Sequence, residues 1–264
     1  MPDSTIRIAL DGWRAGLLAI LSMPRLSGTA FLFILGYEIT MDFISPAPES
    51  DVDFSFRMSL VTAAQLFLST AIFASILIAV HRGILLSEVV DRPIWRVPPT
   101  YQRFAFWLLL FNLLWAVPAV LDLWLLPVVA HSSSGAGITF LIVLLNAAFW
   151  IVAIVVSLRL MLLLPAVALA TPSAEWRNAW SDSRGHAWKF FGVSALAALP
   201  MFVAGMILFW LHGSRPPGGG WLLPDALGTL LMCYVGGAVA SRLFWTYAAA
   251  LDPQGHPPAI SSSK

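Results

Sequence analysis

The stretch Ile138-Thr-Phe-Leu-Ile-Val-Leu-Leu-Asn146-Ala-Ala-Phe-Trp150-Ile-Val-Ala-Ile-Val-Val-Ser157-Leu-Arg159 carries no charge until its last residue. A helix rises about 1.5 Å per residue, so about 20 such residues cross the ~30 Å hydrocarbon core of a bilayer. Read outward in both directions, the chain repeats this chemistry. Apolar runs lie near 26–43, 58–82, 104–129, 137–164, 190–211 and 222–250. Six such runs predict an all-α, polytopic bundle of six transmembrane helices that forms a single integral membrane domain over 1–264.

Composition agrees with that reading. Apolar residues make up 59% of the chain and charged residues 11%, against about 25% charged in soluble domains. The net charge of +1 argues against nucleic acid as a partner. The single cysteine, Cys233, lies in the last run, so it can form no intrachain disulfide and no thiol-based metal site.

Segment 1–25 precedes the first run. Ile6, Ala9, Leu10, Trp13, Leu17 and Ile20 recur at helical spacing, with Arg7, Asp11 and Arg14 in a narrow opposite stripe. The pattern predicts an amphipathic helix in the headgroup layer, not a cleaved leader. At the other end, 252–264 reads as a flexible tail.

Basic residues orient the bundle. Thirteen of the fifteen fall in the N-terminal segment, the second and fourth connections and the C-terminal side; Arg57 and Arg215 fall opposite. Loops rich in Lys and Arg stay in the cytoplasm, which predicts both termini inside and a multi-pass protein of a bacterial inner membrane. The opposite connections, near 42–56, 131–137 and 213–220, have the Pro, Gly and Ser chemistry of plain hairpin loops.

The even-numbered runs end alike, at Arg82, Arg159 and Arg242, spaced by 77 and 83 residues. Either three helical hairpins repeat, or alternating topology alone produces the pattern. The apolar tail beyond Arg159 is too long for one span. Pro165 should bend it, and Thr171-Pro172 should start a short interfacial helix near 172–186.

The elements Arg159-Leu160-Met161-Leu162-Leu163-Leu164-Pro165-Ala166 and Ala179-Trp180-Ser181-Asp182-Ser183-Arg184-Gly185-His186-Ala187-Trp188 resemble a group of bacterial six-span membrane proteins. That group includes the membrane domain of some glycerophosphoryl diester phosphodiesterases and stand-alone members. The resemblance implies fold and location and transfers no catalytic residue. A phosphodiesterase domain would need about 250 further residues in an α/β barrel, so that activity is not expected.

Three functional classes remain. A non-enzymatic protein would bind anionic lipid or organise partners through its basic face. Arg82, Arg159 and Arg242, with Trp180 or Trp188 at the rim, form the headgroup candidate, because guanidinium grips phosphate bidentately. A small transporter or channel would use polar groups inside the spans: Glu38, Asn112, Asp122 and Asn146. These same groups could simply bridge helices, as could Gln65. An intramembrane enzyme would need a convergent constellation. His81 beside Arg82, with Glu88 nearby, is the nearest approach to one, and such a histidine more often meets lipid phosphate or a helix terminus. No metal, cofactor or nucleotide motif appears in the sequence. Gly236 and Gly237 with Ala240 and Ser241 form small-residue pairs expected to pack within the chain.

Overall fold

The computed structural model describes residues 4–44, 51–92, 98–131, 136–212 and 222–252. The tail beyond residue 252, the Pro/Gly-rich stretch 213–221 and residues 132–135 lie outside them. The described residues form helices and connections and no strand. The helices are α1 (Thr5–Ser22), α2 (Pro24–Ile44), α3 (Asp51–Leu86), α4 (Pro99–His131), α5 (Ala136–Leu160), α6 (Leu163–Ala168), α7 (Trp176–Asp182), α8 (Ala187–His212) and α9 (Leu222–Tyr247). Five helices are long and apolar enough to cross a membrane: α3, α4, α5, α8 and α9. Six spans result if α1 and α2, bent by 96° at Met23, count as one broken span. The chain is therefore an all-α multi-pass membrane protein.

α9 is the axis of the bundle. It contributes Val235, Val239, Leu243 and Phe244 to one buried cluster, with α1, α3, α4, α6 and α8. It contributes Ala226, Leu230, Tyr234 and Ala238 to a second, with α1, α2 and α3. Close approach is made possible by missing side chains. A Cβ on Gly12 of α1 would sit 2.5 Å from Val239 Cγ2, and one on Gly16 would sit 3.0 Å from the Val235 backbone. A Cβ on Gly237 would sit 2.9 Å from Leu77 Cδ2 of α3. Without a hydrophobic drive between helices in lipid, small residues that let backbones approach supply the packing. The Gly237 half of the small-residue pair thus packs within the chain, while a Cβ on Gly236 would meet no atom within 4 Å.

α1 is a helix with three faces. Ser4 Oγ caps it by accepting from Arg7 N at 3.2 Å. Its small-residue face, with Ile8, Ala9, Gly12, Gly16 and Ala19, is buried in the bundle. Ile6, Leu10, Leu17 and Leu21 are exposed. Arg7 and Asp11 form the i, i+4 pair of a polar stripe. The single apolar stripe expected from sequence is thus split between protein and surroundings. Hydropathy ranks Gly low, so the packing face is not visible in it.

Other boundaries also differ from the sequence expectation. The connection near 42–56 is shorter than expected, because α3 is already helical from Asp51. Extending an existing helix costs little. The long tail breaks at Met161–Leu162, between α5 and α6. Pro165 cannot donate to the Met161 carbonyl and clashes with it, which is why the break falls four residues earlier. Thr171-Pro172 does not start the next helix. It closes α6: Thr171 N donates to Ala166 O at 3.1 Å and Ala170 N to Val167 O at 3.0 Å. With Ala170 at φ 56° this is a Schellman turn. The helix expected near 172–186, α7, is consequently shorter than expected and begins at Trp176.

Candidate functional site

Several long-range polar contacts gather at the end where Arg82, Arg103, Arg159 and Arg242 sit, here termed the basic end. Asp91 Oδ1 accepts from Arg25 N at 2.8 Å and Leu26 N at 3.1 Å. It thereby caps α2 from a distant connection, just after Pro24, which has no N–H. Asp182 of α7 accepts from the backbone N–H of Ala250 and Leu251, at 2.9 to 3.0 Å. Ser173 Oγ donates to Leu251 O at 2.6 Å. Arg103 donates to the Ala174 carbonyl. The connection holding α6 and α7 is thus stitched to α4 and to the turn after α9.

The three arginines at helix ends have different surroundings. Arg82 pairs with Glu88, its Nε at 2.8 Å and its NH2 at 2.7 Å from Oε2, and its NH1 donates to Ala168 O at 3.2 Å. Arg159 lies over the Trp180 ring, 5.4 Å from the centroid, and its buried NH1 has no hydrogen-bond partner among the described residues. Arg242 Nε is likewise buried without a partner there. Trp188 is 86% exposed and packs edge-on against Phe191. Arg159 and Trp180 therefore meet, whereas the guanidinium of Arg82 is already occupied.

The four polar groups inside the spans do not share one cavity. Glu38 lines a pocket of about 140 Å³ between α2, α3 and α9, with Tyr37, Ser69 and Thr229. Asn112 Nδ2 donates to Thr70 Oγ1 at 2.8 Å, tying α4 to α3. Asp122 of α4 accepts from Asn146 Nδ2 and, at 3.3 Å, from Trp150 Nε1, both on α5. These are interhelical links of the sort polar residues form in lipid. The side chain of Gln65 lies outside the described part of α3.

A larger feature is not legible in the sequence. A partly open cavity of about 1120 Å³ lies between α3, α4, α5, α8 and α9. This is at or above the upper end of ordinary ligand sites. Its walls are mainly apolar, with Phe73, Leu77, Leu108, Phe111, Met201 and Met232 among them. Gly205, Gly228, Gly236 and Gly237 contribute, with Ala195, Ala198, Ala204 and Ala240. At Gly205 of α8 and Gly236 of α9 an added Cβ would meet no atom within 4 Å, so these positions leave space that bulky residues would fill. The cavity is walled by helices distant in the chain, so no local pattern encodes it.

Several of its polar wall groups are already paired within the protein. Asn112 is held by Thr70. Trp115 Nε1 donates to Ser157 Oγ at 2.9 Å. Cys233, the lone thiol, is half-buried in the wall. His81 also belongs to the wall and is 1% exposed. It does not meet the surface, contrary to what its position beside Arg82 suggests. Its Nδ1 lies 2.7 Å from Ser241 Oγ of α9. Among the described residues, no three His, Cys, Asp or Glu side chains gather as a metal site would need.

In comparisons with protein families, curated proteins and solved structures, none matches the chain.

Proposed function

We propose that this multi-pass protein is a non-enzymatic binder of lipid, and that the cavity between α3, α4, α5, α8 and α9 holds an apolar chain. The observation that carries this reading is the cavity itself: about 1120 Å³ of mainly apolar space inside a membrane bundle. Apolar walls make dispersion contacts with a lipid chain and offer few partners to a polar ligand. Small wall residues on α8 and α9 support the same reading, because they keep open a volume that leucines would fill. On this reading the protein sits in a bacterial inner membrane with both termini cytoplasmic, and its partners are membrane lipids.

The test is to fill the space. Gly236 borders the cavity, and a Cβ added to it would have no atom within 4 Å. Gly236→Leu should keep the fold and release a lipid that co-purifies with the wild-type protein, as counted by native mass spectrometry. Equal lipid retention by the two proteins would overturn the reading.

A second reading concerns the basic end. Buried guanidinium N–H groups without partners are costly, and Arg159 and Arg242 each carry one. A lipid phosphate would satisfy them, with Trp180 beside Arg159. This favours an anionic headgroup at that end. Loss of anionic lipid in Arg159→Gln supports it; unchanged retention in that variant and in the variant with Arg82, Arg159 and Arg242 all replaced by Gln overturns it.

A further inference from the structure

The wall of the cavity holds one polar atom whose state can be worked out from its neighbours. Ser241 Oγ lies 2.9 Å from the Gly237 carbonyl, one helical turn back on α9. A hydroxyl has one proton; we assign it to the Gly237 carbonyl, which leaves Ser241 to accept from His81. His81 Nδ1 therefore carries a hydrogen and donates it to Ser241 across 2.7 Å. In a neutral imidazole the other nitrogen is then a bare acceptor. That atom, Nε2, is buried and has no hydrogen-bond partner among the described residues.

An unfilled acceptor away from water is unfavourable. No donor among the described residues bonds it. Leu77, one turn earlier on α3, is apolar, as is Ala240 on α9, and Phe104 stands with its ring centroid 6.0 Å from that of the imidazole. A ligand that occupies the cavity can supply the missing donor.

We propose that the molecule bound in the cavity is an apolar chain bearing a hydroxyl group, and that this hydroxyl donates to His81 Nε2. The proposal rests on the lipid-binding reading of the same cavity and narrows it to a class, the lipid alcohols. A carboxylate or phosphate is a poor fit, since an ionised oxygen has no hydrogen to give a bare acceptor. His81 lines the cavity but is only 1% exposed, so the wall must shift for the hydroxyl to reach Nε2.

The experiment compares a long-chain fatty alcohol with its methyl ether, which matches it in shape but cannot donate. Binding is measured on the delipidated full chain in nanodiscs by displacement of a fluorescent alkyl probe. The wild-type protein should bind the alcohol about tenfold more tightly than the ether, the effect of one hydrogen bond to an otherwise unsatisfied group. His81→Asn keeps a polar atom near the Nδ1 position for Ser241 and removes the Nε2 acceptor. It should bind both probes equally, at the level of the ether. His81→Gln places an amide oxygen near Nε2 and should keep the preference, which separates recognition from any loss of folding. Equal binding of alcohol and ether by the wild-type protein overturns the hydroxyl inference and leaves the cavity reading standing. A preference retained in His81→Asn overturns the role of His81. Binding of neither probe overturns the cavity reading with it.

Discussion

Two spans of this protein, α5 and α3, invert the rule that applies in water. The α5 segment Phe140–Leu160 has a mean hydropathy of 2.7, the highest of the five, yet only 6% of its most apolar stretch is buried inside the protein. The α3 segment Leu66–Leu86 has a mean hydropathy of 1.7 and is 56% buried. Leu141, Leu144, Leu145 and Ile151 of α5 are exposed. In contrast, α3 buries Ala74, Ser75, Ala79 and His81. Lipid is as apolar as leucine, so nothing drives large side chains inward. Contact between helices is chosen by small residues that allow close approach and by polar groups that need partners. The most hydrophobic spans face lipid, and the moderately hydrophobic α3 and α9 form the centre.

The largest effect should come from adding bulk where α1 crosses α9. Gly16→Leu would place a side chain against the Val235 backbone, which cannot rotate away. It should cost about 3 kcal/mol, read as a lower midpoint in detergent-denaturation curves. The matched change on an outward-facing surface is Gly36→Leu in α2. Gly36 is exposed, and a Cβ there would meet nothing within 4 Å. That change should cost nothing and gain up to about 1 kcal/mol from helix propensity. Equal destabilisation by the two substitutions would break the comparison.

A smaller effect is expected at the basic end. Asp91→Ala removes the acceptor for Arg25 N and Leu26 N, and should cost about 1–2 kcal/mol. The loss should localise to α2, seen as faster amide hydrogen exchange in its first turn with α5 unchanged. Exchange spread evenly over both helices would show that the central and lipid-facing regions are not separable.

The smallest effect has the opposite sign. Ala170 adopts φ 56° to close α6, a conformation that costs a residue with a Cβ about 1 kcal/mol. Ala170→Gly should raise stability by about 0.5–1 kcal/mol, measured by the same denaturation curves. A decrease would mean that the Ala170 methyl contributes packing its exposure does not suggest.

The span positions and the break ahead of Pro165 are legible because they depend on length, apolarity and a missing N–H, all local properties. The far end of that break is not. Thr171-Pro172 has the chemistry of a helix start, but its threonine serves the preceding helix, and sequence spacing cannot separate the two uses. Among the site residues, Asn112, Asp122 and Asn146 can be picked out as polar groups in spans, but their links to Thr70 and Trp150 join different helices. His81 is conspicuous in the sequence only for its neighbour Arg82. Its working partner, Ser241, lies 160 positions away.

By itself the sequence determined the membrane class, the helical content and the approximate place of each span, since every one of these follows from the cost of putting backbone and charge in hydrocarbon. Only the tertiary structure decided which faces meet. The glycine face of α1 against α9, Asp91 as the cap of α2, the His81–Ser241 pair and the cavity beside it all come from helices distant in the chain. Their physical basis is shape and hydrogen bonding between elements, which an apolar pattern cannot carry because lipid and protein look alike to it.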